Sequence, residues 1–315
     1  MAGHTHGATS GRLLWISLGL TVTFVIGETI AGLIAHSLAL LSDAGHNASD
    51  AIALGLAAYA VWLAKRPASH GKTFGYHRVA ILTALANAFA LVAIASAIFI
   101  EAWISFHAPG RVRAPIVMLT AAVAVFMNTV IAYWLRDASH HSLNARAAYI
   151  HMAGDALSSV GVLLAGAVIY FTHWTQADAV VSALIGGFIL YTSWGVINEA
   201  TNILMEGTPR GLDIGQLVST MRSIPSVVDV HDLHVWTVGD GINFLSCHVI
   251  LPDGFSMQQS ATVVCDLNDC LHDDFAIGHA TIQTELATDV GCRSDREGLY
   301  CAIEPHSSGC RHNGD

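Results

Sequence analysis

Charged side chains are scarce in this 315-residue chain: Asp, Glu, Lys and Arg together make up 12% of it, whereas hydrophobic residues make up 53%. Soluble globular proteins carry about 25% charged residues and about 45–50% apolar ones. This composition excludes an ordinary soluble globule as the whole of the chain. It favours burial of a large part of the chain in a lipid bilayer.

Cysteine is absent before Cys247, and all six cysteines lie in the last third of the chain. A disulfide-stapled secreted domain is therefore excluded for the first two thirds, and a reduced, cytosolic C-terminal part is the simpler interpretation. A signal-peptide cleavage pattern is also lacking at the N-terminus, which we expect to be retained.

Excess positive charge is lacking as well. Residues 1 to 206 hold 9 basic and 9 acidic side chains, and residues 207 to 315 hold 5 basic and 15 acidic ones. Because nucleic-acid binding depends on Lys and Arg that neutralise phosphates, we expect no nucleic-acid partner. The apolar part is neutral, and the acidity belongs to the C-terminal third.

Six apolar stretches are long enough to cross the hydrocarbon core of a bilayer, which takes about 20 residues. They cover residues 13–34, 38–63, 79–103, 115–135, 147–171 and 179–204. Lys and Arg accumulate on the cytoplasmic side, and here they concentrate before the first stretch and in the second and fourth connections. The sequence predicts a multi-pass protein of the inner cell membrane with both termini in the cytoplasm.

After residue 206 the pattern changes to that of a small soluble domain. Helical periodicity over 212–223 and 257–275, with strand-like alternation over 227–238, 243–251 and 279–286, predicts an αββαβ order. The predicted fold class is thus a membrane all-α six-helix bundle followed by a small α+β domain with an open sheet and helices on one face. We divide the chain into a cytosolic tail (1–12), the six-span domain (13–206), a cytosolic metal-binding-like domain (207–287) and a flexible tail (288–315).

Two pairs of ionisable residues lie within the predicted spans: His46 with Asp50, and His151 with Asp155. Such groups cost about 2.5–3.5 kcal/mol each on insertion, so their presence indicates function. A spacing of four residues places imidazole and carboxylate on one helix face. Two such helices facing each other would supply two nitrogens and two oxygens. That tetrahedral set suits Zn²⁺, with Co²⁺ and Cd²⁺ as further candidates.

Charge favours transport over permanent binding at these four residues. Two aspartates neutralise one divalent cation, and two protonated histidines would neutralise the same aspartates in the absence of metal. Thiolate ligands, which would favour retention of the metal, are absent from the pairs. The sequence therefore predicts metal movement coupled to counter-moving protons.

Other polar residues are weaker candidates. Asp43 lies on nearly the same face of the second span as His46, and Glu28 lies in the first span. Either could belong to the pathway of the metal, although helix packing explains both of them as well.

The soluble domain offers a second metal hypothesis. Strand alternation places Cys247 on the core side and His248 on the other side. His234, His248 and Glu285 are candidates for a structural or regulatory Zn²⁺ site, with plain solvated surface as the open alternative. In the tail, Cys292, Cys301 and Cys310 could close on a metal, but their long spacings lack the Cys-x-x-Cys pairs of zinc ribbons.

Four segments resemble the cation diffusion facilitator family, and within it the zinc-transporting branch that includes bacterial zinc, cobalt and cadmium efflux members. They are residues 37–50 (SLALLSDAGHNASD), residues 73–78 (TFGYHR), the fifth-span pair and residues 231–236 (HDLHVW). The resemblance implies a homodimeric metal/proton antiporter with six spans per protomer, a ferredoxin-like cytosolic domain and export from the cytoplasm. The family's transport ligands carry over onto His46, Asp50, His151 and Asp155, and His46 favours zinc over manganese by analogy.

Two other functions stay open. A membrane-embedded zinc hydrolase could use the same four ligands and a metal-activated water, although no additional general base lies at motif-like spacing. A membrane metal sensor would act through its cytosolic domain, and its span ligands would be dispensable. The leading prediction is a secondary active transporter rather than an enzyme, with a second copy of the chain, the bilayer and protons as its partners.

Overall fold

The computed structural model describes residues 7–139, 143–239, 241–288 and 299. The chain forms two compact units. The first is built from the residues up to 63 and from 82 to 198, and the second from residues 64–81 and those from 199 onward.

Six long helices dominate the N-terminal two thirds of the chain. They are α1 (Gly7–Ala35), α2 (Leu38–Ala64), α3 (Val79–His107), α4 (Ala114–Ser139), α5 (Leu143–Thr172) and α6 (Gln176–Leu204). Helices α2 to α6 are each long and apolar enough to cross a membrane, and α1 has an apolar segment from Thr21 to Ala35. Large apolar side chains such as Phe126 and Leu157 are exposed, as expected for groups that face lipid. The predicted helical membrane domain is confirmed.

The helices pack through small side chains. Ala39 of α2, Ala95 of α3 and Ala121 of α4 are fully buried in one apolar cluster. On α5, a Cβ at Gly166 would meet Met118 of α4 at 2.9 Å, so a larger residue there would force the two helices apart. Small residues allow the close approach that stabilises helix pairs in lipid.

The beginning of α2 is capped by Ser37, which precedes the helix, and by Asp178 in the first turn of α6. The Ser37 hydroxyl accepts a hydrogen bond from the Leu40 amide at 3.2 Å. The Asp178 carboxylate of α6 accepts from the amides of Leu38 and Ala39, at 2.5 and 3.1 Å. The first three N–H groups of α2, which have no partner within the helix, are therefore satisfied. The negative charge also lies at the positive end of the helix dipole.

The second unit contains a three-stranded sheet with two helices. Its elements are α7 (Ile214–Ser223), β1 (Asp229–Gly239), β2 (Ile242–Leu251), α8 (Met257–Phe275) and β3 (Ile277–Leu286). The strand order is β1-β2-β3, with β1 antiparallel and β3 parallel to the central β2. The predicted αββαβ domain is confirmed.

One face of the sheet forms the core of this domain. Leu217 of α7 and Leu267 of α8 are fully buried in one cluster with Leu245, Cys247 and Val249 of β2. Complete burial of a leucine contributes about 1.5–3 kcal/mol. The predicted inward orientation of Cys247 is confirmed, and burial, together with the Asp232 carboxylate, raises the pKa of its thiol to about 12.

A bulge in β1 sets the composition of the opposite face. Asp232 has a left-handed backbone with φ of 49°, and the pairing shifts there, from His231 opposite His248 to His234 opposite Ser246. Residues three apart in a regular strand point to opposite faces. Because the bulge inserts one extra residue, His231 and His234 both lie on the face of His248.

The connection between α2 and α3 packs on the same unit as the sheet. The Phe74 ring lies 5.5 Å from the Phe244 ring of β2, and Phe244 in turn contacts Trp236 and His279. Gly239 permits a close approach to His77, since a Cβ there would meet the His77 Cβ at 2.9 Å and its carbonyl oxygen at 3.2 Å.

Candidate metal centre

The two His and Asp pairs of α2 and α5 form one closed ring of contacts. His46 Nε2 lies 3.7 Å from Asp50 Oδ2 and 3.4 Å from Asp155 Oδ1. His151 Nε2 lies 3.3 Å from Asp50 Oδ2 and 3.7 Å from Asp155 Oδ2. Each imidazole thus faces the carboxylate of its own helix and that of the other helix. We call these four side chains the ligand ring.

The spacing in the ligand ring fits a tetrahedral cation. Zinc binds imidazole nitrogen and carboxylate oxygen at about 2.0–2.2 Å, which separates neighbouring ligand atoms of a tetrahedron by roughly 3.3–3.6 Å. The four nitrogen–oxygen distances of the ring, from 3.3 to 3.7 Å, lie close to that range. Ligand atoms of His46, Asp50 and Asp155 all lie within 4.8 Å of one another.

The ring lies at the wall of a cavity of about 540 Å³. His46 and Asp155 are buried, whereas the His151 side chain is 45% exposed. Polar groups of α3 and α6, from Asn87, Thr192 and Ser193, also line the cavity. A cation in this cavity would therefore meet buried ligands on one side and an accessible imidazole on the other.

The His46 imidazole lies beside two carboxylates, but neither contact has the geometry of a hydrogen bond. Both of its ring nitrogens are buried without a partner of good geometry. A buried polar atom without a hydrogen bond costs about 1–3 kcal/mol, so such an atom requires an explanation. A cation or a proton bound by these nitrogens would provide one.

The two pathway candidates, Glu28 and Asp43, are each 1% exposed. Asp43 accepts hydrogen bonds from the hydroxyls of Ser158 and Ser159 on α5, at 2.7 and 3.0 Å. Glu28 Oε2 accepts from the Asn47 amide at 3.0 Å. Both carboxyls thus lie inside the helix bundle, on α1 and α2, and Asp43 precedes His46 by three residues.

In the soluble domain the structure groups His231, rather than His234, with His248 and Glu285. Ligand atoms of these three residues lie within 4.8 Å of one another. Glu285 reaches His248 Nδ1 at 2.9 Å and His231 Nε2 at 3.5 Å. His234 instead contacts Asp232 at 3.0 Å. The bulge at Asp232 explains this arrangement, because it places His231 on the polar face.

Three predicted candidates, Cys292, Cys301 and Cys310, lie outside the described residues. Leu299 between them is described: its carbonyl oxygen accepts a hydrogen bond from the Leu233 amide at 2.9 Å, and its side chain packs against the domain core.

Sequence reasoning missed Asp178, the serines that bind Asp43, and His231. The sixth span was expected to start after Asp178, whereas α6 begins at Gln176 and carries Asp178 in its first turn. A carboxylate at the start of an apolar helix was the available signal. The partners of Ser158 and Ser159 depend on helix packing, which spacing within one helix does not give.

Comparison with known proteins separates the same two parts of the chain. The transmembrane domain of cation efflux proteins matches residues 14–205, and the cytoplasmic domain of cation efflux proteins matches residues 209–287. The chain belongs to the cation efflux family. As a member of this family, also known as the cation diffusion facilitators, it is a multi-pass membrane protein that transports cations.

Three relatives illustrate the likeness of this cation efflux protein to characterised members. The metal cation efflux system protein CzcD of Cupriavidus metallidurans is 36% identical, over 91% of this chain and 90% of its own length. The cadmium, cobalt and zinc/H⁺-K⁺ antiporter of Bacillus velezensis is 36% identical over 90% and 92%. The zinc transporter ZitB of Escherichia coli is 37% identical, again over 90% and 92%.

Proposed function

We propose that this cation efflux protein is a Zn²⁺/H⁺ antiporter that exports metal from the cytoplasm by alternating access. The cation is held between α2 and α5 by the ligand ring of His46, Asp50, His151 and Asp155. The crosswise contacts of the ring carry the proposal, because each histidine faces an aspartate from the other helix. Co²⁺ and Cd²⁺ are alternative cargoes that suit the same nitrogen and oxygen donors, and relatives are named for all three metals.

Charge balance supports the exchange of metal for protons. A divalent cation neutralises the two aspartates, and two protons on the two imidazoles do the same after the cation has left. The ring therefore avoids an uncompensated charge in the bilayer in both states. Asp50 and Asp155 act as ligands and counter-charges, and the two histidines act as ligands and proton carriers. The name of the Bacillus velezensis relative also includes proton antiport.

The membrane arrangement follows from charge and from the family. Lys and Arg concentrate in the segments expected on the cytoplasmic side, so we place both termini there and the protein in the inner membrane. The C-terminal match is to a cytoplasmic domain whose name denotes dimers, which supports a homodimer. The cavity beside the ring would then open alternately to either side as the helices move.

The geometry favours transport over hydrolysis. A zinc hydrolase keeps one coordination position for water and places a general base beside it. Here the proposed ring supplies all four ligands of a tetrahedral cation and leaves no position for water. Among the described residues that line the cavity, the ring members are the only carboxylates and imidazoles, so none is left over as a base.

Metal flux into liposomes tests this function. Purified protein is reconstituted with an internal zinc dye and an imposed pH gradient, and the parent is compared with His46→Ala and Asp155→Ala. We expect gradient-driven flux in the parent and its loss in both variants. His107→Ala is the matched control, because His107 is an exposed histidine of α3 outside the ring. Undiminished flux in both ring variants would refute the ligand ring as the metal site. Flux that does not depend on the pH gradient would refute antiport.

A regulatory zinc site in the soluble domain is a second proposal. It is supported by the close grouping of His231, His248 and Glu285 and by His231 Nδ1, which is buried without a hydrogen bond. Metal bound there would bias the conformation of the domain. His231→Ala should remove zinc binding by this domain, whereas His234→Ala should weaken it less. A larger loss in His234→Ala than in His231→Ala would favour the site of His234, His248 and Glu285 that the sequence predicts.

A metal sensor, in contrast to a transporter, would keep its function after the ligand ring is removed.

A further inference from the structure

Two buried carboxyls inside the helix bundle are not used by the ligand ring. Glu28 of α1 accepts a hydrogen bond from Asn47 of α2, which lies one helical turn after Asp43 and on the same face. This contact places the two carboxyls side by side, and each is 1% exposed. Two adjacent carboxylates cannot both be ionised in such a setting, because like charges at short range in a low dielectric repel strongly. At least one proton must therefore be shared by the pair.

The hydrogen bonds around the pair indicate which of the two carboxyls carries that proton. Both oxygens of Asp43 receive a serine hydroxyl, which is the pattern of an ionised acceptor. Glu28 Oε2 receives the Asn47 amide, while Glu28 Oε1 is buried and receives no hydrogen bond. An oxygen without a donor, next to an anionic carboxylate, is the expected position of a proton. Glu28 is thus the neutral, donating partner and Asp43 the charged one.

We propose that Glu28 and Asp43 form a proton-binding dyad, separate from the metal ligands, that exchanges protons with the aqueous phase during antiport. This inference rests on the proposed function, because it assigns a second proton site to the same transporter. The dyad holds one proton at rest and two when loaded. Uptake from water forms one O–H bond on Asp43, and release breaks that bond and returns the dyad to its one-proton state. Two full negative charges never coexist in this cycle.

The Ser159 hydroxyl allows the second proton to bind while every polar group around Asp43 keeps a hydrogen-bond partner. Its single hydrogen has two acceptors at 3.0 Å, Asp43 Oδ2 and the backbone carbonyl oxygen of Asp155. When Asp43 is ionised, the hydroxyl donates to it. When Asp43 is protonated, the hydroxyl can rotate to the carbonyl oxygen and accept from Asp43 instead. The switch needs rotation of one hydroxyl only.

The dyad is a separate site from the ligand ring, but the two sites interact through charge. Asp43 precedes His46 by three residues on α2 and interacts with it through charge. On α5, Asp155 is the nearest titratable residue in sequence to the serines that hold Asp43. Helix α4, which packs on α1, carries no titratable side chain from Ala114 to Ala132. A cation in the ring would repel the second proton of the dyad, so occupancy of one site disfavours the other.

Infrared spectroscopy of the full chain tests whether the proton exists. A protonated carboxyl gives a carbonyl-stretch band distinct from that of a carboxylate. We expect such a band in the parent and its loss in Glu28→Gln, which keeps the size and the hydrogen bond to Asn47. Glu101→Gln, at an exposed carboxyl of α3, should keep it. Should Glu28→Gln fold poorly, Asn47→Ala removes only the neighbouring donor and should shift the band without abolishing it. A parent spectrum with no band that depends on these residues would overturn the proposal.

Transport at varied pH tests whether the proton exchanges. We expect Glu28→Gln, which leaves the charge of the dyad unchanged, to bind zinc as the parent does. Both Glu28→Gln and Asp43→Asn should lose about tenfold or more of the gradient-driven flux and show a shifted pH profile. Unchanged zinc affinity separates failure of the dyad from failure of the ligand ring. A Glu28-dependent band combined with an unaltered flux and pH profile would mean a fixed, structural proton, and it would overturn exchange while leaving the proposed function intact.

Discussion

The Asp178 carboxylate of α6 lies 2.5 Å from the Ser37 hydroxyl that precedes α2, and both side chains are buried. Through this contact and two backbone amides, α6 fixes the beginning of the helix that carries His46 and Asp50. The position of His46 therefore depends on a carboxylate that caps α2 about two helical turns before it.

Replacing Asp178 should destabilise the helix bundle. Asp178→Ala leaves the amides of Leu38 and Ala39 without their acceptor, at a cost of about 1–3 kcal/mol for buried polar groups. Thermal unfolding of the detergent-solubilised protein should show a lower midpoint for this variant. Asp213→Ala, which removes an exposed helix cap on α7, is the control and should cost about 1 kcal/mol. Equal midpoints for the parent and Asp178→Ala would contradict the capping role.

The soluble domain should protect one cysteine from modification. The pKa of the Cys247 thiol is raised to about 12, chiefly by burial, so the reactive thiolate is scarce at pH 8. Cys265 on α8 is exposed. Brief treatment with a maleimide at pH 8, followed by peptide mass spectrometry, should label Cys265 first and Cys247 only after unfolding. Equal labelling of Cys247 and Cys265 in the native protein would contradict the burial of Cys247 in the domain core.

The same thiol predicts how stability varies with pH. The folded domain holds the Cys247 proton more tightly than the unfolded chain does, whose thiol pKa is about 8.5. Stability from this group is complete below that value and declines as the pH rises from there towards 12. Denaturant titrations at pH 8 and pH 10 should show this decline in the parent, and Cys247→Ala should show less of it.

Gly239 should be needed for the contact between the α2–α3 connection and the sheet. A methyl group at this position would meet both the His77 side chain and its backbone carbonyl, at 2.9 and 3.2 Å. Gly239→Ala should therefore loosen residues 65–78 and speed tryptic cleavage after Lys72. Gly278→Ala is the matched control, since a Cβ there has only an ordinary contact at 3.9 Å. Equal cleavage rates in the two variants would contradict this packing.

The sequence predicts the elements well where one local pattern dominates. Apolar length defines the helices, and alternation defines β2, with Cys247 inward. The i, i+4 spacing of His46 with Asp50 and of His151 with Asp155 also indicates which side chains can meet, because a helix turn fixes their common face.

Contacts between residues far apart in sequence cannot be predicted from these local patterns. Nothing local to Asp178 marks it as a partner of Ser37, since their contact depends on how α6 packs beside α2. The exchange of His234 for His231 has a local cause, the bulge at Asp232, but a bulge shifts the alternation by one residue and carries no clear signal in composition. The pairing of Glu28 with Asp43 likewise follows only from the antiparallel course of α1 and α2.

The most direct test of the central claim is a double-mutant cycle on zinc affinity, because the claim is that one cation touches α2 and α5 at once. Zinc binding is measured by calorimetry for His46→Ala, Asp155→Ala and their combination. All proteins are full length and carry His231→Ala and His248→Ala, which remove the proposed zinc site of the soluble domain. Each single change should weaken binding by about 100-fold or more, given that loss of even an indirect metal contact costs 10–100-fold. The double variant should lose far less than the product of the two, because the first change already dismantles the shared site. Losses that simply multiply, or affinities equal to that of the parent, would contradict a single site shared by the two helices.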